Sequence, residues 1–235
     1  MTEALSAFGP DNVLLGVMTR PTGNLAGCAV LLSNAGLIHH CGPQDLNTTV
    51  CRRLAAEGIP TLRFDLGGIG DSYRAEQSTR YEERAVSDVG LAMSHLQERT
   101  GVKQFILAGI CSGADDAHRC ALHDERVAGV VQIDGYAYRT PGFYARHYGG
   151  RALDPKAYTN KMKKWVGASL VNEEPELPAP VQLNYRSFRT REEFEEDLAI
   201  LNQREVRQLF IYTRSWRERC NYRNQMNDAS SPKAS

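Results

Sequence analysis

Short apolar runs of strand length alternate along the chain with longer stretches of helical period. Val13 to Met18 reads as an early strand, and Cys28 to Ser33 is almost continuously apolar, as expected of a strand buried on both faces. A helix is predicted to begin near Pro43, a favourable first-turn residue, with Leu46, Val50 and Leu54 at four-residue spacing on its apolar face and Gly58 as its stop. Thr61 to Asp65 is the next strand, followed by the loop Gly67-Gly68-Ile69-Gly70-Asp71-Ser72. From about Arg80 to Arg99 the period is helical, with Val86, Val89, Met93 and Leu96 on one side. Gln104 to Ala108 is a strand, Ala114 to His123 a helix, and Val127 to Ile133 another strand. Strand-then-helix alternation predicts an α/β fold, a mostly parallel sheet with helices on both faces joined by right-handed crossovers.

The pattern changes between residues 139 and 207. This stretch is charged, carries a Pro-rich linker at Glu173 to Pro180, and offers Thr190 and Glu193 as a capping box for a helix running to about Asn202. It reads as a cap or lid inserted into a core formed by residues 1–138, with 208–235 returning to that core through a strand at Leu209 to Thr213. A linker without its own fold is the alternative reading of the inserted stretch.

A chain of 235 residues is long enough to bury a core without disulfides. Lys plus Arg balances Asp plus Glu, 28 against 28, so no basic stripe recommends nucleic acid as a partner. The first residues lack a secretory pattern, and no apolar run approaches a membrane span, which makes a cytoplasmic location the expectation. The six cysteines form no CxxC pair and no zinc-finger spacing with histidine. They are expected to be reduced, with neither a metal nor a cofactor. The glycines after Asp65 lack dinucleotide-binding spacing, so a structural loop braced by Asp71 and Ser72 is expected there.

The segment with the most chemistry is Gly109-Ile110-Cys111-Ser112-Gly113, a sharp turn between a strand and a helix. Such a turn holds its central residue in a strained conformation, and flanking glycines leave room for close neighbours. A cysteine there would sit at a helix N-terminus, where the dipole and free N–H groups favour the thiolate. The N–H of Ser112 would point at a developing oxyanion. Two alternatives stand beside Cys111 as nucleophile: a buried structural cysteine, and Ser112 as the nucleophile instead. After the Cys28 strand, Ala35, Gly36 and Leu37 allow close backbone approach to a carbonyl, or else make only a tight turn.

The stretches LLSNAGLIHHCGP, LRFDLGGIGDS, GICSGA and IDGYAYRTPGFY resemble α/β-hydrolases, and more narrowly the hydrolases associated with exosortase and exopolysaccharide gene clusters. The likeness covers about Leu14 to Tyr144 and returns at Leu209 to Met226. Dienelactone hydrolases also place cysteine in this turn. The resemblance implies hydrolysis of an ester, thioester or related acyl bond in a small molecule, without a cofactor. It implies Cys111 as nucleophile, Ser112 with Ala35, Gly36 and Leu37 around the oxyanion, and an acid that is either Glu218 by position or Asp134. A histidine is expected after the strand at Leu209, yet the histidines are His39, His40, His95, His118, His123 and His147. His118 is roughly 10 Å along its helix from Cys111. His39 and His40, beside the Gly36 loop, and His147 in the cap are the remaining candidates for a base. Three explanations follow: a C-terminal truncation that removes the final strand and helix, which is the favoured one; a catalytically silent binding or scaffold protein on the same fold; or a cysteine that acts without histidine.

Overall fold

In a computed structural model of the chain, residues 1–73, 80–152 and 188–230 are described. Their contacts separate two units, Met1–Tyr136 with Phe188–Thr213, and Ala137–Ser187 with Arg214–Ser235. The first holds a seven-stranded sheet in the order β1-β2-β4-β3-β5-β6-β7. Its strands are β1 (Thr2–Phe8), β2 (Leu14–Arg20), β3 (Cys28–Leu32), β4 (Thr61–Phe64), β5 (Gln104–Ile110), β6 (Val127–Ile133) and β7 (Arg207–Ile211). β1 and β2 pair antiparallel, as do β2 and β4, and the pairings from β4 through β7 are parallel.

Side-chain alternation along the strands divides the core between the two faces. On one face Ala29, Leu31, Leu62, Phe64, Phe105 and Leu107 pack with α2 (Tyr81–Thr100) and α3 (Ser112–His123). On the other, Val30, Leu32, Ile106 and Ala108 pack with α1 (Leu46–Ala56) through Cys51, Val50 and Leu54. The expected α/β architecture, a mostly parallel sheet covered by helices on both faces, is therefore present.

Three elements differ from the sequence reading. β1 was not expected, because its polar start hides an edge strand in which Ser6 and Phe8 are buried. α1 starts at Leu46, after a short 3-10 turn at Pro43–Asp45. It buries Asn47, Thr48, Cys51 and Ala55, and Leu46 lies exposed. Val50 and Leu54 pack toward the sheet as expected, beside these small residues, and Asn47 Nδ2 donates to the carbonyls of Ser33 (3.5 Å) and His40 (3.1 Å). The third difference is where α5 (Arg191–Gln203) packs: the helix opens with the expected Thr190–Glu193 capping box, and it buries Phe194, Leu198 and Leu201 within the first unit. The Pro-rich part of the proposed cap, Glu173 to Pro180, lies outside the described residues.

The second unit contains α4 (Pro141–Ala152) and the short α6 (Gln225–Ser230). Gln225 ties it together by donating to the carbonyls of Tyr138 (2.9 Å) and Arg219 (2.6 Å). Among the described residues no helix is long and apolar enough to cross a membrane.

Candidate active site

β5 ends at Ile110, and the next residue turns the chain into α3. Cys111 has φ 57° and ψ −119°, a region side chains other than glycine rarely enter, and it caps the helix. The strain is held from two sides. The Cys111 N–H donates to the Ile133 carbonyl at the end of β6 (2.9 Å), and the Cys111 carbonyl accepts the Ala114 N–H (3.1 Å). A methyl group on Gly109 would run into the Gly113 carbonyl, and one on Gly113 would run into the Asn34 carbonyl. The glycine spacing is thus a steric requirement of this corner. Cys111 itself is half-buried and in no disulfide.

Ser112 is buried, and its Oγ accepts the Gly36 N–H at 2.8 Å. That bond ties the elbow to the loop after β3. In this loop the Ala35 carbonyl accepts the Ile38 N–H (3.1 Å), which closes a tight turn. Gly36 is there for its φ of 62°, since a methyl group would meet nothing within 4 Å. Leu37 is exposed at the tip, and Ala35 is buried.

Of the two acid candidates, Asp134 follows directly on Ile133, the residue that receives the Cys111 N–H. It has a φ of 52°, and both its carboxylate oxygens face the end of β7: the Thr213 N–H donates to Oδ1 (2.8 Å) and the Thr213 hydroxyl to Oδ2 (2.6 Å). Glu218 belongs to the second unit, where its carbonyl accepts Arg139 Nε (2.9 Å). It lines a cavity of about 370 Å³ with Arg146, His147, Arg217 and Asn221.

The histidines are placed as follows. His118 is fully buried; Gln132 Nε2 lies 3.3 Å from its Nδ1, and its Nε2 faces Asp197 Oδ2 of α5 at 3.1 Å. Arg189 donates to the other oxygen of Asp197 (3.0 Å), so His118 is a strut between α3 and α5. His95 stacks on Phe8 with ring centres 4.9 Å apart, and burial pushes its pKa down. His123 Nδ1 bonds the Arg119 carbonyl (2.8 Å), and His147, in the second unit, stacks on Phe143.

His39 and His40 meet two carboxylates from the loop after β4. His40 Nδ1 is 2.9 Å from Asp65 Oδ2, and His39 Nε2 is 2.9 Å from Asp71 Oδ2. Burial alone would raise the Asp65 carboxyl, but hydrogen bonds from His40, the Asp71 N–H and Asn34 together hold it below its ordinary value. The Asp71 hydrogen bond raises the His39 pKa against a smaller effect of desolvation. Asp71 and Ser72 also brace the loop: the Asp71 N–H donates to Asp65 Oδ2 (3.1 Å) and Ser72 Oγ to the Asp65 carbonyl (2.6 Å). Sequence spacing did not reveal this group. The histidine doublet and Asp65 are far apart in the chain, and the parallel pairing of β3 with β4 brings them together. On α3, burial pushes the Asp116 carboxyl up to about 6 even though Tyr81 Oη donates to it (2.8 Å).

No protein-family model matches the chain, and no curated protein matches it in sequence. Solved structures do match. The α/β hydrolase GrgF from Penicillium sp. sh18 is 13% identical, with 92% of this chain and 91% of that chain covered and a TM-score of 0.50. DcsB, solved with its substrate analogue, is 12% identical over 90% of each chain, with a TM-score of 0.53. An α/β serine hydrolase without a lid from Xanthomonas campestris is 20% identical, and the match covers 59% of this chain and 63% of that one at a TM-score of 0.47. The likeness to GrgF, which extends over nine-tenths of both chains, shows the α/β-hydrolase fold, and a fold alone does not fix chemistry.

Proposed function

We propose that this protein is an acyl hydrolase that cleaves an ester, thioester or related acyl bond in a small molecule, with Cys111 as nucleophile. The Cys111 thiolate attacks the carbonyl carbon, and the carbonyl π electrons move onto oxygen. Collapse of that intermediate expels the alcohol or thiol, which takes up a proton, and leaves an acyl group on sulfur as a thioester. Water then releases the acid and restores the thiol. The single observation behind this reading is the backbone of Cys111, held at a positive φ on the N-terminus of α3 between two glycines that admit no side chain. Cys111 caps the N-terminus of α3, and the Ser112 N–H is the donor assigned to the oxyanion. Asp134 is favoured over Glu218 as the acid because it directly follows β6, the strand paired with β5 beside the elbow. The narrower likeness to exosortase-associated hydrolases rests on the quoted motifs, and a cytoplasmic setting would suit the thiols.

One observation favours a second reading, a silent binding protein on the same fold. His118 is committed to Gln132 and Asp197, and His40 and His39 face Asp65 and Asp71. Incubation with a p-nitrophenyl ester, followed by mass spectrometry of the intact chain and its peptides, separates the two. The hydrolase reading expects one acyl group on Cys111, released over time, and none on Cys111→Ala. An unmodified Cys111, or equal labelling of the Cys111→Ala protein, sinks it.

A further inference from the structure

Four potential metal ligands converge beside the Gly36 loop: His39 Nε2, His40 Nδ1, and one carboxylate oxygen each from Asp65 and Asp71, all within 4.8 Å of one another. We infer that these residues form a binding site for one divalent transition cation of the zinc class. This inference does not depend on the acyl-hydrolase reading.

The spacing supports it. A tetrahedral zinc ion with bonds of about 2.0–2.1 Å sets its ligands roughly 3.3 Å apart. Here His39 Nε2 is 3.5 Å from Asp65 Oδ2 and 2.9 Å from Asp71 Oδ2, and His40 Nδ1 is 2.9 Å from Asp65 Oδ2. These three separations lie close to that spacing, and the others are at most 4.8 Å. Two imidazoles with two carboxylates suit zinc or cobalt, whereas magnesium and calcium prefer oxygen alone.

The surroundings also match what a metal site needs. Asp65 Oδ1 is fixed by the His40 N–H (2.7 Å) and by Asn34 Nδ2 (2.5 Å), which leaves Oδ2 turned toward the histidines. Asn34 Oδ1 in turn accepts the Leu66 N–H (2.7 Å). One half of the group is preorganised and buried, with side-chain exposures of 6% for His40 and 0% for Asp65. The other half is the entry side, at 41% for His39 and 61% for Asp71. Cys41 is near the same histidines, and its N–H donates to His39 Nδ1 (3.4 Å), a bond that ligation through Nε2 breaks because Nδ1 then carries the ring proton. On binding, the ion takes the place of the ring protons shared with the carboxylates: a neutral imidazole moves its proton to the other ring nitrogen, and an imidazolium releases one proton to solvent. The loop carrying Gly36 is then fastened to the loop after β4.

The test uses the full chain, without a histidine tag and stripped with a chelator, titrated with Co²⁺ and Zn²⁺. The expected result is one saturable equivalent, cobalt d–d bands without a thiolate charge-transfer band, and a Tm raised by Zn²⁺. Cys41→Ser should leave all three unchanged. Asp71→Asn, a substitution at an exposed position, should keep the metal-free Tm yet weaken Zn²⁺ by more than about 100-fold, beyond the 10–100-fold that loss of a supporting partner costs. His39→Ala should do the same. Absence of a saturable equivalent, a thiolate band abolished by Cys41→Ser, or unchanged affinity in Asp71→Asn and His39→Ala would each overturn the assignment.

Discussion

The corner at Cys111 exists because two neighbouring positions carry hydrogen where other residues carry carbon. Adding one methyl at Gly113 drives it into the backbone of Asn34, which cannot yield without moving the loop after β3. Gly113→Ala should therefore lower stability by about 2–3 kcal/mol in urea unfolding. Gly90 lies in α2 with nothing within 4 Å of an added methyl, and Gly90→Ala should raise stability by about 0.5–1 kcal/mol in the same assay. A loss at both positions would show that helix propensity and space are not what separates them. At this scale the turn was readable in the sequence, because Gly109, Cys111 and Gly113 act on one another over five residues. The group of His39, His40, Asp65 and Asp71 was not, since its members meet only through strand pairing. The bond from Gly36 to Ser112 was equally hidden, as it spans 76 residues.

Among the elements, the central strands were legible because strands buried on both faces must be apolar throughout. β1 was not, for an edge strand needs only one dry face, and here a serine, Ser6, shares it with Phe8 while the apolar Leu5 is exposed. In α1 the expected stripe holds at Val50 and Leu54 and fails at Leu46, which is exposed, while the buried Asn47, Thr48, Cys51 and Ala55 are small or polar residues that a stripe of large apolar side chains does not mark. α5 is anchored by chemistry as well as by Phe194 and Leu201. Asp197 receives His118 and Arg189 in a buried setting, so Asp197→Ala leaves both donors unmatched. The expected loss is about 2–3 kcal/mol by urea denaturation. Hydrogen exchange should show the amides of residues 191–203 opening more readily than those of β5. Uniform protection would mean that α5 is held by its apolar side chains alone.

Across the whole molecule the sheet has two ends. β7 lies at one end among the described residues, with Leu209 at 53% and Ile211 at 40% exposure on its outer face. Edges of this kind invite pairing with another chain, and a lysine discourages it. Leu209→Lys combined with Ile211→Lys should reduce concentration-dependent self-association, measured by light scattering, with little change in Tm. Equal scattering from both proteins would place the sticky surface elsewhere.

The elbow takes its shape from segments far apart in translation: Asn34 abuts Gly113, and Ile133 receives the Cys111 N–H. A nascent chain that has released β5 but not β6 therefore carries an ordinary thiol on unshaped backbone. The sulfur reaches its final setting only when residues 127–133 have left the ribosome, so whatever reactivity this corner confers is acquired late in synthesis.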